Sequence, residues 1–401
     1  MTAILSHADT VRVTVSLAAM LSPVVAFNRV LFIDTFANSS LAGFSTEVAI
    51  GSKSTKYVEI GAYSEATAAN TATAGSVGTA LLADLQGAFS HARAPTSVGV
   101  LSVDRADGGN GVDTYAEAIA ALTGAGYNDF YCVIPVSHAL ADICDILAGV
   151  TAVASNTRPR VVFAQTAVSS AYASNATWLA ALVDSSSAAP AASDLDRLAM
   201  FYHADAQPCA AGVATWGFAV DPDTTSIDWR FPVPGISAVS LPSGTTETTF
   251  KHNLRGTPGT DLGNAINVPL PFGSSSVFLD PGVMQSGRAI YATISADWFK
   301  ARLESRLQDA ILAAASANQK FPLNYTGQAR ILGIIENLYN QGVGAGHFLS
   351  REDARKLGVD VIIRGETITT EDRSLRRLRF TVSIPVLAGA RVINIAVTVT
   401  E

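Results

Sequence analysis

The sequence carries little charge. Asp, Glu, Lys and Arg make up 15% of its 401 residues, whereas about 25% is usual for a soluble globular protein. The hydrophobic content of 48% nevertheless argues against a disordered chain, because disorder combines low hydrophobicity with high charge. The formal net charge of -7 argues against direct binding to nucleic acid, since proteins that bind it usually present a basic surface.

Cysteine is equally scarce. The three cysteines, Cys132, Cys144 and Cys209, are odd in number and form no Cys-x-x-Cys motif. These features argue against a disulfide framework and against a zinc knuckle. We therefore expect reduced thiols in an intracellular protein.

Long hydrophobic runs are also missing. The longest candidate, 13–27, contains polar residues and Pro23. A membrane-spanning helix needs about 20 apolar residues, so we predict no membrane insertion. His7 and Asp9 stand where a secretory signal would carry lysine or arginine, which argues against a signal peptide.

Between residues 26 and 220 the sequence alternates short apolar runs with helical patterns. The apolar runs lie at 30–33, 98–103, 130–136, 161–164 and 198–202, and the helical patterns at 77–89, 115–122, 140–147 and 178–183. Apolar runs without polar alternation are typical of parallel strands that helices cover on both faces. We predict an α/β domain over 26–220, with a doubly wound and mostly parallel sheet.

The second half of the chain has a different pattern. Residues 221–290 are rich in Pro, Gly, Ser and Thr, which favours an irregular connection or insertion. Residues 291–401 predict an α+β domain, so that the protein is α+β overall. Apolar residues at four-residue spacing over 299–311 indicate one helix, and a second is predicted over 328–340 with its end at Gly342.

Both ends of the chain are predicted to be β-strands. Apolar residues alternate with polar ones in an N-terminal arm over 1–25 and again near the C-terminus, after a strand over 380–386. The alternating residues are Val11, Val13, Val15 and Leu17 at one end, and Ile393, Ile395, Val397 and Val399 at the other. We expect the last two strands to form a hairpin. The first strand needs a partner that is distant in sequence or belongs to another chain.

A polar loop follows the predicted strand at 98–103. Its acidic and amide residues are Asp104, Asp107, Asn110 and Asp113. They miss the alternating ligands and the closing glutamate of an EF-hand, so we do not assign a calcium site. We interpret Asp113 as the N-cap of the helix that starts near Tyr115.

Other polar side chains also follow predicted strands. Ser137, His138, His203 and Asp205 could join Asp104 in a Ser/His/Asp or metal-binding set, but the chain has neither a GxSxG nor an HExxH motif. The glycines over 342–346 follow a helix and lack the Lys-Ser/Thr pair of a phosphate loop, so they predict a helix end and a turn. We predict no catalytic residue, no cofactor and no metal.

The densest charge lies in an arginine tract near the C-terminus. Its members are Arg373, Arg376, Arg377 and Arg379. A solvated surface is one interpretation. The other is a contact between subunits, in which complementary charge sets the register and orientation of two copies. The acidic partners on the neighbouring copy would be residues such as Glu366, Glu371 and Asp372.

Several short stretches resemble the tail sheath proteins of contractile bacteriophages. They are the strand at 11–17, Trp229-Arg-Phe231 with Pro234-Gly-Ile236, Asp297-Trp298 as the opening of a long helix, the turn from Pro322 through Tyr325-Thr-Gly327 into the next helix, and the alternating C-terminal strands. The resemblance runs loosely from end to end and is strongest over 290–401.

The resemblance implies a structural subunit and not an enzyme. Residues 26–220 would be a variable outer domain, and 291–401 with the N-terminal arm would be the conserved sheath domain beside the inner tube. The strands of Val11–Leu17 and Ile393–Val399 would extend into neighbouring subunits and complete a shared sheet. Energy for contraction and genome delivery would be stored in the extended lattice, so no nucleotide site would be needed.

The resemblance also implies partners and a location. The partners would be further copies of the chain in a helical tube, the inner tail tube protein, and the baseplate and tail terminator proteins. The assembled protein would be part of the phage tail, after assembly in the host cytoplasm.

Two other classes of protein stay open. A capsid or tail-tube protein would share the low charge, although tube proteins are usually smaller and dominated by β-structure. A cytoplasmic α/β enzyme would use Asp104, His138 and His203, so that substituting all three would remove an activity and leave assembly unchanged.

Overall fold

A computed structural model gives the fold. It describes residues 9–16, 26–35, 48–50, 55–72, 78–103, 114–127, 129–154, 159–184, 192–203, 208–230, 235–256, 263–272, 276–319, 321–375, 377–387 and 392–400. The chain forms two compact units. The α/β unit comprises Val25–Asp221 and Asp228–Ile290, and the terminal unit comprises Met1–Val24, Pro222–Ile227 and Tyr291–Glu401.

The elements are numbered in chain order. The strands are β1 (Asp9–Ser16), β2 (Val30–Thr35), β3 (Val48–Ala49), β4 (Thr55–Ile60), β5 (Val98–Val103), β6 (Cys132–Pro135), β7 (Val161–Thr166), β8 (Leu198–Tyr202), β9 (Val268–Phe272), β10 (Ser276–Asp280), β11 (Ile362–Gly365), β12 (Arg377–Pro385) and β13 (Val392–Thr400). The α-helices are α1 (Tyr63–Ala72), α2 (Thr79–Phe89), α3 (Tyr115–Gly124), α4 (Leu140–Ala154), α5 (Asn175–Asp184), α6 (Ala192–Leu195), α7 (Cys209–Phe218), α8 (Glu247–Arg255), α9 (Ile290–Ser316), α10 (Tyr325–Gly344), α11 (Arg351–Lys356) and α12 (Thr370–Ser374).

The α/β unit is built on a seven-stranded sheet with the order β3-β4-β5-β2-β6-β7-β8. Neighbouring strands from β5 to β8 pair in parallel, and β3 and β4 add an antiparallel edge. The five parallel strands follow the order 2-1-3-4-5 of flavodoxin-like folds. All five apolar runs predicted as strands lie in this sheet, which confirms the predicted mostly parallel α/β fold.

Helices cover both faces of this sheet. Ile33 of β2 and Val162 of β7 pack in one core with residues of α3 and α4, such as Ile119. Phe163 follows Val162 and therefore lies on the opposite face. Its ring contacts Phe218 of α7 at a centroid distance of 5.4 Å. The sheet is thus doubly wound, as predicted, and each face is buried by helices of the same unit.

Residues 221–290 hold regular elements within their Pro- and Gly-rich stretches. The polar stretch at 243–249 includes the start of α8, where the side chain of Thr246 caps the helix by accepting a hydrogen bond from the backbone N–H of Thr249. Strands β9 and β10 form an antiparallel pair. Residues 228–290 belong to the α/β unit.

Helix α3 begins at Tyr115, as the sequence predicted, but its N-cap differs from the prediction, and helix α9 begins earlier than predicted. Asp113 lies outside the described residues, and the N-cap of α3 is Thr114, which forms a reciprocal capping box with Glu117. Helix α9 begins at Ile290, seven residues before Asp297, because buried residues extend its apolar face toward the N-terminus. Asp297-Trp298 therefore lies inside this helix instead of opening it.

The end of α10 also differs from the prediction. The helix continues through Gly342 to Gly344. A Cβ atom on Gly342 would lie 2.5 Å from the ring of Phe348, so this glycine permits close packing and does not end the helix. Gly346, two residues after the last residue of the helix, has a φ of 81° and donates to the carbonyl of Val343, while His347 donates to that of Gly342. This pattern is a Schellman motif.

Candidate functional site

The two ends of the chain meet in the four-stranded sheet of the terminal unit, which has the order β1-β13-β12-β11. Strand β1 pairs in parallel with β13, from Asp9 opposite Ile393 to Ser16 opposite Thr400. Strands β13 and β12 form the antiparallel hairpin that the sequence predicted, with nine paired residues. Residues 388–390, which lie between these two strands in the sequence, are outside the described residues. The partner of the first strand is therefore distant in sequence, which was one of the two expectations.

In the register of the sheet, the alternating apolar residues of β1, β13 and β12 are paired with one another. Val11 pairs with Ile395, which pairs with Val382. Val13 and Val397 form a row with Phe380, Val15 and Val399 form a row with Leu378, and Ile393 pairs with Ile384. The β12 residues of these rows are all buried, with exposed fractions of 1% or less. Of the predicted linker residues, only Leu17 lies outside the described residues.

Strand β1 forms one edge of this sheet. Within the described part of the chain the sheet order gives it a single neighbour, β13, and the opposite edge is the short strand β11. The outer backbone groups of an edge strand can pair with another chain. If β1 were exchanged between copies, only its ladder with β13 would therefore be broken.

The arginine tract contacts carboxylates of its own chain. Arg377 donates from Nε to Oδ1 of Asp372 over 2.7 Å, and Arg379 donates from Nη2 to Oδ2 of Asp372 over 2.9 Å. Arg377 also donates to Glu371, and Arg379 forms an ion pair with Glu366 at 3.7 Å. The acidic residues expected on a neighbouring copy are thus intramolecular partners of these two arginines.

The other two arginines of the tract are placed differently. Arg373 is exposed on α12, and Arg376 lies outside the described residues. Arg373 is therefore the described member of the tract that is most available to another copy.

Asp372 fixes the short helix α12 to the start of β12. Its side chain is 2% exposed, and it completes a capping box with Thr369. Hydrogen bonds from Arg379, Thr369 and Arg377 hold the pKa of Asp372 well below its usual range. The carboxylate therefore stays ionised, and the two arginines are oriented by a fixed negative charge.

A second charged network holds the segment Pro222–Ile227 within the terminal unit. Asp223 accepts hydrogen bonds from Arg302 at both oxygens, over 2.7 and 2.5 Å, and a third from the indole N–H of Trp298 over 2.7 Å. Trp298 is fully buried, and Asp223 supplies the hydrogen-bond acceptor for its indole N–H. The sequence offered no signal for this contact, since Asp223 and Arg302 are 79 residues apart.

His347 completes this network. Its ring stacks on Trp298 with the centroids 4.5 Å apart. Nε2 donates to the carbonyl of Pro222 over 2.7 Å, so that Nδ1 accepts from the hydroxyl of Ser295 at 2.8 Å. Burial lowers the pKa of His347, which favours the neutral ring that these two bonds require.

Among the described residues, the polar side chains at the carboxyl edge of the parallel sheet follow different strands. Ser137 donates to Asp142 over 2.5 Å, which holds it within its own loop. His203 is buried against the carbonyl of Ser237. Because β7 lies between the strands that precede His138 and His203, these strands are two spacings, or about 10 Å, apart. Asp104 and Asp205 lie outside the described residues.

The cysteines and the possible metal ligands are the remaining chemical groups in the described part of the chain. The three cysteines are buried, and burial raises the pKa of Cys144 to about 11 and that of Cys209 to about 12. No group of three or more His, Cys, Asp or Glu side chains is placed to hold a metal ion among the described residues. In the same ranges, no helix is both long and apolar enough to cross a membrane.

Comparisons with known proteins find a similarity of fold but no match in sequence. No protein-family model matches the chain, and no curated protein matches its sequence. A solved sheath tail protein of Listeria innocua is similar in structure with a TM-score of 0.55, at 11% identity, over 96% of this chain and 98% of that one. A sheath tail protein of Desulfitobacterium hafniense has a TM-score of 0.41, at 10% identity, over 74% of this chain and 62% of that one. The first comparison confirms the resemblance to sheath tail proteins at the level of the fold.

Proposed function

We propose that the chain is a structural subunit of a contractile phage tail sheath and not an enzyme. The observation that carries the proposal is the likeness of fold to a sheath tail protein over nearly the whole of both chains. A similarity of fold confined to the α/β unit would support this proposal much less, because flavodoxin-like sheets occur in proteins of many functions.

In this proposal the subunits form a helical tube around an inner tail tube, and the terminal strands link neighbouring copies. The edge position of β1 supports the linkage, because it lets a strand of one copy extend the sheet of the next. Contraction of the tube would drive genome delivery. The inner tube, baseplate and tail terminator proteins would be the further partners, and the assembled protein would be part of the phage tail.

Electron microscopy of the purified chain tests the proposal. Negative-stain images over a concentration series should show tubes or stacked rings of uniform width. Deletion of residues 1–17, or Ile395→Pro, should abolish these tubes while circular dichroism still reports a folded α/β unit. Proline at this position removes an N–H donor and interrupts the ladders of β13 with its neighbours.

The matched control is Ile395→Val, which keeps the backbone donor and a β-branched side chain and should still assemble. Tubes formed by the truncated chain would overturn the role of the terminal strands. Dispersed particles of the unaltered chain at every concentration would overturn the sheath proposal itself. An activity lost on substituting Asp104, His138 and His203 together, with assembly unchanged, would favour an enzyme.

A further inference from the structure

We infer that β1 of each subunit is an intramolecular plug, by which we mean that it pairs with the outer edge of β13 of its own chain before assembly. In the tube, the β1 of a second copy takes its place on that edge. The inference rests on the proposed function and adds a closed state of the subunit to it. Its basis is the parallel pairing of β1 with β13 within one chain, over eight residues from Asp9 to Ser16.

Strand β1 is the easier of the two terminal strands to release. It has one ladder, to β13, whereas β13 has two, to β1 and to β12. The β1 ladder is also parallel, and parallel pairing is slightly less stable per residue than antiparallel pairing. Releasing β1 therefore breaks fewer backbone hydrogen bonds and leaves the β12–β13 hairpin in place to receive another strand.

The chain that follows β1 is long enough for an exchange. Phe27 is buried in the α/β unit, where its ring lies 4.7 Å from that of Tyr131. Ten residues separate Ser16 from Phe27. At full extension they would span at most about 35 Å, which is roughly the diameter of a small domain. A released β1 can thus reach the β13 edge of an adjoining copy.

In the closed state β1 pairs with β13 of its own chain, and in the exchanged state it pairs with β13 of another copy. Because the strand pairing is the same, the balance between the two states depends on the protein concentration and on other contacts between copies. A short tether gives an intramolecular strand an effective concentration in the millimolar range. At micromolar protein the closed subunit is then favoured about a thousandfold. Tubes should therefore form only where other contacts between copies outweigh this closure, so that assembly sets in above a threshold protein concentration.

A cysteine pair tests the inference directly. Val13 and Val397 are directly opposite in the register, and neighbouring strands lie about 4.8 Å apart, within the reach of a disulfide. The chain is made with Val13→Cys and Val397→Cys. The native cysteines can stay in place, because they are buried and because burial raises the pKa of Cys144 and Cys209, which makes their thiols unreactive.

The control pair is Val13→Cys with Ile393→Cys. Ile393 stands opposite Asp9, four residues away in the register, so the two sulfurs would be about 13 Å apart and should not join. Both double variants introduce two cysteines into the same two strands, which separates the effect of the bond from that of the substitutions.

In dilute protein we expect the matched pair to form a disulfide within one chain on oxidation. The oxidised subunit should assemble at least tenfold more slowly than the reduced one, and reductant should restore assembly. Tubes that are assembled in reductant and then oxidised should give disulfides between chains, seen as a ladder on a non-reducing gel.

Three results would count against these statements. Equal assembly rates for the oxidised and reduced subunits would overturn the plug, and so would tubes whose disulfides lie only within chains. Absence of tubes from the unaltered chain would instead overturn the proposed function, and the exchange with it, whatever disulfide forms in dilute protein. Failure of the two inferences can therefore be told apart.

Discussion

The two units surround their buried aspartates with opposite electrostatic environments. Asp372 in the terminal unit is held by Arg377, Arg379 and the cap of α12, and its pKa lies well below the usual range. Asp84 in the α/β unit is 7% exposed on α2, where burial and the neighbouring charge of Asp34 raise its pKa well above the usual value. One environment favours the charged carboxylate, whereas the other favours the neutral acid.

The difference follows from how each unit is assembled. The terminal unit joins three separate parts of the chain, and directional charged contacts fix the segment Pro222–Ile227 and the helix α12 within it. The α/β unit has a sheet with both faces covered by its own helices, and it has charged contacts of its own, such as the ion pair of Arg255 with Asp280. Acid should therefore weaken the contacts of Asp372 and Asp223 in the terminal unit, while a rise in pH should destabilise the α/β unit through Asp84.

The largest effect is expected for Asp223→Ala. The change removes three hydrogen bonds and leaves the buried indole N–H of Trp298 without its acceptor. We expect the terminal unit to lose about 3 kcal/mol of unfolding free energy. Amide hydrogen exchange resolved by peptide measures it, because α9 and α10 should exchange faster while the strands β5 and β7 keep their protection.

Asp309→Ala, which removes an exposed carboxylate of α9, is the control and should change the free energy by less than about 0.5 kcal/mol. Equal loss of protection in β5 and β7 would show that the network is not confined to the terminal unit.

A smaller effect is expected for Asp372→Asn. The neutral amide weakens the hydrogen bonds from Arg377 and Arg379, at a cost of about 2 kcal/mol near pH 7. Because the folded pKa of Asp372 is depressed, its contribution is complete above the unfolded pKa of about 3.9 and is lost as the pH falls toward the folded value. Denaturant titrations of the two proteins should therefore differ most at pH 7 and converge on acidification.

The control for this substitution is Glu371→Gln, which weakens the exposed partner of Arg377 and should cost less than about 1 kcal/mol. A free-energy difference between wild type and Asp372→Asn that does not change with pH would contradict the assigned ionisation.

The contacts of these aspartates also show what the sequence can predict. The alternation of Ile393, Ile395 and Val397 predicted a strand, because side chains of a strand alternate between faces and the pattern is local. The roles of Asp372 and Asp223 depend on how the chain folds back. Spacing could not distinguish an arginine five residues away in the same chain from one in a neighbouring copy. No local pattern links Asp223 to a residue 79 positions later.

The smallest effect, and one of opposite sign, is expected for Asp84→Asn. The folded α/β unit binds a proton at Asp84 that the unfolded chain has already released, so wild-type stability falls as the pH rises through the folded pKa. An asparagine is neutral without taking up a proton, so it should stabilise the unit by about 1 kcal/mol at pH 8, with a smaller gain at pH 4. Thermal unfolding at the two pH values measures the difference, and Glu65→Gln on the exposed side of α1 should show no such trend. A loss of stability at pH 8 would mean that the charged form of Asp84 is favoured by its surroundings, and the contrast with Asp372 would then disappear.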